Sequence, residues 1–146
     1  MIRTAVAADV PAVAALVHDA YALYVPRIGQ QPAPVTADHA GLVAAGRTSV
    51  AEVDGAIAGV IVLIPADDHL LVENVAVAPA MQGRGVGGGL MRFAEQRATE
   101  LGVGELRLYT NALMTENLAL YPALGYTETG RRVEDGFARV YFSKRI

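Results

Sequence analysis

The chain has 146 residues, 53% apolar and 18% charged, with no cysteine and a net charge of −3. That length fits one domain, residues 1–146, and the composition excludes a disordered chain, a disulfide scaffold and thiolate–metal sites, so no metal is expected. Arg131-Arg132 is balanced by Glu134-Asp135, which disfavours nucleic acid. The apolar runs are too short to span a bilayer, and Met1–Ala5 lacks a signal-peptide pattern, so a cytoplasmic protein without a membrane partner is expected.

The predicted elements alternate β and α. Ile2 to Ala5 reads as a strand. Asp9 is placed as an N-cap with Pro11 in the first helical turn. Val13, Leu16, Val17, Ala20 and Tyr24 recur at helical spacing. Pro26, Gly29, Pro32 and Pro34 predict an irregular loop. Thr36 is expected to cap a short helix that ends at Gly46.

Three strands follow, Thr48 to Val53, Ala56 to Pro65 and Leu70 to Val77. Asp54-Gly55 is a two-residue hairpin signal, and Asp67-Asp68 makes the next turn. A helix after the glycines puts Leu90, Met91, Ala94, Ala98 and Leu101 on one face and stops at Gly102. Glu105 to Thr110 is a strand. Thr115 is expected to cap a helix that runs to Leu124. Two strands flank a turn at Glu134-Asp135-Gly136. Hairpins are antiparallel, whereas strand–glycines–helix–strand is a parallel crossover, so the fold class is a mixed α/β sheet.

Gln82-Gly83-Arg84-Gly85-Val86-Gly87-Gly88-Gly89 carries the chemistry. A bend without bulk at a helix start can aim successive backbone N–H groups at a diphosphate. Gly87 to Gly89 cost a helix roughly 1 kcal/mol each relative to alanine, which a plain turn has no reason to accept. A Walker loop fails because no Lys-Ser/Thr pair follows. Gly83, Gly85 and Gly88 satisfy G-x-G-x-x-G. However, five residues separate them from the strand, and Leu106 to Thr110 offers no acid for a ribose, so the dinucleotide reading is poor.

A third pattern, Gln/Arg-x-x-Gly-x-Gly/Ala shortly after a strand ending in Val-x-Pro, is met at every position by Gln82 to Gly87. Leu120-Tyr121-Pro122-Ala123-Leu124-Gly125-Tyr126 supplies a second mark, about 35 residues on. On these two motifs the chain resembles the GCN5-related N-acetyltransferases (GNAT) over nearly its whole length. The resemblance implies a mixed, mostly antiparallel sheet of about seven strands flanked by about four helices. It also implies acetyl-CoA as co-substrate and acetyl transfer to an amine of a small molecule or peptide by direct attack. A homodimer is a family expectation.

Mapped onto this chain, the resemblance makes the backbone N–H groups of Gln82, Gly83, Arg84, Gly85, Val86 and Gly87 the diphosphate donors, with Gly88 a further one. Val75, Ala76 and Val77 would pair with the pantetheine arm, and the Val75 N–H would polarise the thioester carbonyl. Tyr121 is the expected acid toward the leaving sulfur. Asn117, one turn earlier on the same face, would bond the cofactor's amides. Many relatives carry that asparagine seven residues before the tyrosine, where this chain has Met114. Glu73, an acid in an apolar strand, is the leading base, and alternation places it on the face of Val75 and Val77. His69 is a second candidate base, and His18 and His39 read as incidental. Tyr21, Tyr24 and Arg27 are expected at the acceptor, Arg27 pairing a substrate carboxylate. The competing reading is an acyl-CoA-binding module without catalysis, which would keep the loop and lack acid and base.

Overall fold

Seven runs of alternating side chains join in one open sheet. They are β1 (Ile2–Thr4), β2 (Thr48–Val53), β3 (Ala56–Pro65), β4 (Leu70–Val77), β5 (Glu105–Asn111), β6 (Thr127–Glu134) and β7 (Phe137–Arg145), in the order β1-β2-β3-β4-β5-β7-β6. The computed structural model describes residues 1–146. Four helices longer than one turn flank the sheet: α1 (Val10–Tyr21), α3 (His39–Ala44), α4 (Val86–Leu101) and α5 (Thr115–Ala123). A single turn, α2 (Val25–Ile28), lies between α1 and α3. Only β4–β5 is parallel, because its crossover runs through α4. Asp54-Gly55 and Asp135-Gly136 all sit at positive φ, as a type I′ hairpin requires.

Each face of the sheet has its own core. Leu90, Met91, Ala94 and Ala98 of α4 pack with Leu70 and Leu106 on one side. Val13, Leu16 and Val17 of α1 pack with Val50 and Val60 on the other. Leu90 and Val17 are fully buried, and truncating a leucine so placed costs about 2–5 kcal/mol.

Local details differ from expectation where a side chain finds a better partner. Asp9 does not cap α1. Its carboxylate accepts from the Val6 N–H at 2.8 Å and from Arg3 at 2.7 and 3.0 Å, so a 3₁₀ turn, Ala7–Asp9, precedes the helix. Asp38, not Thr36, caps α3, accepting from the Gly41 N–H at 3.0 Å. Thr36 closes a 3₁₀ turn, Ala33–Thr36, so the expected irregular loop is partly ordered. Thr115 is the first residue of α5 and bonds Glu116 rather than the helix backbone.

Two irregularities in β4 build the site. Asn74 pairs with Val62 and Val72 with Leu63, which leaves Glu73 as the extra residue of a bulge. The bulge reverses the parity of the strand. Leu70 and Val72 belong to the α4-side core, yet Ala76 belongs to the α1-side core. Glu73 is therefore not on the face of Val75 and Val77, as simple alternation predicts. It opens with Asn74 into the cavities on the α1 side.

The second irregularity is a split. β4 and β5 pair only from Leu70↔Leu106 to Val72↔Leu108. Beyond that, β4 stays with β3 as far as Val77↔Gly59, and β5 follows β7 as far as Asn111↔Arg139. The strands part and leave a groove with an unpaired backbone edge.

Candidate active site

The free edge of β4 has a defined register. The Ala78 N–H bonds the Ala58 carbonyl at 2.9 Å. By the period of two, Ala76 also turns its polar groups to β3, whereas Val75 and Val77 turn theirs into the split. The Val75 carbonyl already accepts from the Tyr21 hydroxyl at 3.3 Å.

The glycine bend lies at the end of this edge. Gly83 and Gly85 sit at φ +78° and +82°, a region glycine enters without a Cβ penalty. Six consecutive N–H groups, Gly83 through Gly88, have no acceptor within the chain; the next, Gly89, bonds the Gly85 carbonyl at 3.0 Å. The Gln82 N–H turns back on the Pro79 carbonyl at 3.5 Å, so the free run starts one residue later than expected. The run points outward at the N-terminus of the sixteen-residue α4, where the helix dipole favours an anion. The Arg84 side chain is exposed and does not line the groove, which leaves Arg84 its backbone N–H as its only contribution.

One packing contact fixes how close α4 approaches. A Cβ on Gly59 would lie 2.8 Å from Val86 Cγ1 and 2.9 Å from Leu90 Cδ1. Gly59 therefore lets the first turn of α4 seat directly on β3. In the sequence the position shows only as a glycine inside a strand, a known signal of close backbone approach.

Two cavities meet at the split. The larger, ≈ 460 Å³, runs from Val75–Val77 and the bend along the first turn of α4 to Asn117 and Tyr121 of α5. The smaller, ≈ 60 Å³, lies across the sheet beside Glu73, Tyr109 and Arg139. Tyr21, Val75, Asn117 and Tyr121 line both. Those four residues mark the junction.

Packing sets the junction side chains. Tyr121 is buried edge-on to Tyr126, with centroids 5.8 Å apart, and lies 5.6 Å from the Phe142 ring. Burial first, then Tyr24, pushes its phenol up to about 12, so it keeps its proton at any working pH. Tyr21 donates to Asn74 Oδ1 at 2.8 Å, and burial raises its phenol further still. Asn117 donates to Thr110 Oγ1 at 3.1 Å. No hydrogen bond within the chain engages its carbonyl oxygen, and the residue lines both cavities. Met114, in the slot where relatives place asparagine, is a buried neighbour 3.7 Å from Asn117 Nδ2.

Other expected site residues stand elsewhere. Glu73 accepts from the Tyr109 hydroxyl at 3.1 Å in the smaller cavity. Burial and the Glu73 carboxylate raise the Tyr109 phenol to about 12. Tyr24 lines the larger cavity, on the α5 side. Arg27 lines neither cavity: it donates to both Glu116 oxygens, at 2.8 and 3.1 Å, while Tyr24 donates to the same carboxylate at 2.8 Å. The carboxylate that Arg27 meets within the chain is thus that of Glu116. Arg27, Tyr24 and Glu116 form a clasp between α2 and α5. His69 bonds Asp68 at 2.7 Å at the other end of β4 and lines neither cavity. No sequence pattern points to Tyr109, Arg139 or Asn74: the bulge turns Asn74 and Glu73 into the cavity, and the pairing of β5 with β7 brings Tyr109 and Arg139 to it.

Fold and site together define a class, a mixed α/β protein whose split sheet and glycine-led helix form one ligand groove. The profile of the Acetyltransferase (GNAT) family matches residues 14–126. The chain belongs to that family. It is 33% identical over 87 residues to N-acetyltransferase family 8 member 3 of Rattus norvegicus, a match covering 56% of this chain and 38% of that protein. It is similar to nourseothricin acetyltransferase, at 32% identity and a TM-score of 0.63, covering 67% of this chain and 64% of the other. The chain thus spans less than two thirds of either relative. PaiA N-acetyltransferase of Thermoplasma acidophilum, solved with coenzyme A, shares the fold over 100% of this chain and 98% of its own, with a TM-score of 0.82 at 15% identity. No helix is long and apolar enough to cross a membrane.

Proposed function

We propose that this chain is an acetyl-CoA-dependent N-acetyltransferase that acts on an amine of a small molecule or peptide. The observation that carries the reading is the junction. A groove fitted at one end to an anionic diphosphate meets, at Val75, Asn117 and Tyr121, a second cavity holding a carboxylate. Similarity to two acetyltransferases above 30% identity supports the same reading. Bound acetyl-CoA supplies an activated acyl carbon and a thiol leaving group.

The N–H groups of Gly83 to Gly88 hold the diphosphate. The Val75 and Val77 edge pairs with the amide-bearing arm, and the Asn117 carbonyl accepts from it. The Val75 N–H stabilises the oxyanion that develops as the amine nitrogen bonds the acyl carbon. Glu73 takes the amine's proton, directly or through water, across the smaller cavity. Tyr121 donates toward the sulfur as the C–S bond breaks. Burial holds the Tyr121 phenol well above the range of a leaving thiol, so complete proton transfer to the thiolate is uphill. Tyr121 therefore acts chiefly through a hydrogen bond that strengthens as sulfur gains charge, and solvent supplies the net proton.

The test is coenzyme A calorimetry followed by thiol release from acetyl-CoA with a panel of amines. Micromolar binding with amine-dependent release is expected. Binding with no release from any amine would leave a non-catalytic acyl-CoA module instead.

A further inference from the structure

The acceptor cavity holds a cation opposite its carboxylate. Arg139 on β7 lines it, and its side chain is only 11% exposed. The guanidinium lies 4.5 Å from the centroid of the Tyr109 ring and 5.8 Å from that of Phe137. It makes no hydrogen bond with the protein. Its nearest carboxylates, Glu134 at 3.8 Å and Asp135 at 3.9 Å, stand beyond hydrogen-bond reach. Glu134 ends β6 and is 39% exposed, and Asp135 in the turn is 84% exposed, so both are well solvated.

A nearly buried guanidinium whose faces rest on rings and whose N–H edge is unspent is prepared for a planar, bidentate acceptor. Tyr109 joins it to the other charge in the cavity: its ring carries Arg139 and its hydroxyl donates to Glu73. The same cavity therefore offers a carboxylate to an ammonium group and a guanidinium to a carboxylate. The cavity between them, ≈ 60 Å³, suits a small ligand.

We infer that the acceptor is a small amine that also carries a carboxylate, with the amine at Glu73 and the carboxylate on Arg139. The inference rests on the acetyltransferase reading for the role of the cavity. Its test is binding, which does not require turnover. The probes are straight-chain ω-amino carboxylates of increasing length and the matching amides, titrated by calorimetry into the protein with and without coenzyme A. At one or more chain lengths the carboxylate binds roughly ten- to hundredfold tighter than its amide, the range expected of hydrogen bonds to a charged group.

Arg139→Gln abolishes that difference, and Arg139→Lys keeps a fraction of it. Thermal melts of both variants report whether the fold holds. Equal affinity of carboxylate and amide at every length, or an unchanged preference in Arg139→Gln, overturns the inference. Should coenzyme A fail to bind while the preference persists, the acetyltransferase reading fails and the carboxylate site stands.

Discussion

Replacing Gly59 with alanine tests how the glycine-rich N-terminus of α4 is held. The new methyl would meet Val86 Cγ1 at 2.8 Å and Leu90 Cδ1 at 2.9 Å. Ordinary carbon contacts lie at ≈ 3.5–4.0 Å, so the first turn of α4 must retreat by about 0.7 Å. Neither neighbour yields easily. Val86 is β-branched, and Leu90 is fully buried. Overpacking of this kind costs about 1–3 kcal/mol, or roughly 3–10 °C in Tm for a chain of this length.

The retreat also carries the free N–H groups of Gly83 to Gly88 away from the β4 edge that shares their ligand. An N–H···O contact near ~2.9 Å then stretches past the useful range, and coenzyme A affinity falls by at least about tenfold. The assays are a thermal melt and calorimetry with coenzyme A. Adding Val86→Ala removes the closer of the two contacts and restores part of both quantities. Parent-like melting and parent-like affinity in Gly59→Ala would refute the idea that close approach positions the helix terminus.

Gly85→Val places a β-branched residue at φ +82° with no atom near its Cβ. The local strain is about 1–2 kcal/mol; calorimetry should show coenzyme A affinity lost by a hundredfold or more, while circular dichroism stays native. Tyr121→Phe should lower kcat on the order of 10²-fold with little change in coenzyme A affinity. Because the Tyr121 phenol is held near about 12, it contributes no alkaline limb below about pH 10, and steady-state profiles of parent and variant should share their shape. Asp9 is held down to about 2 by hydrogen bonds from Arg3 and the Val6 N–H. A lowered native pKa stabilises above about pH 4, and that stabilisation is lost as the pH falls through 2. Urea midpoints of Asp9→Asn should therefore fall less steeply than the parent's over that window. Glu105, held near about 2 chiefly by Arg107 and then Ser143, keeps part of the acid slope in both proteins.

Strand and helix positions were legible because the signals are local. β3 and β4 run over the residues their apolar patterns mark, and both hairpins turn at the Asp-Gly pairs. The glycine bend was legible because its chemistry is backbone chemistry and its residues are adjacent in the chain. Tyr121 and Asn117 came from one helix, whose spacing already states which side chains share a face. These are properties that a few neighbouring residues set among themselves.

Partners far apart in sequence escaped for the same reason. A bulge is a mismatch in length between two strands, so no pattern within β4 announces that Glu73 turns to the side of Asn74. Arg27 resembled a free cation until the fold brought Glu116 from 89 residues away to its guanidinium. Arg139 reads as one arginine of a polar hairpin, and only the pairing of β5 with β7 lays it over Tyr109. Composition and local spacing determined the elements and the glycine bend with its free N–H groups. Tertiary structure decided which charges meet one another and which line the cavity beside Glu73, because electrostatic partnership depends on distance in space and not on distance along the chain.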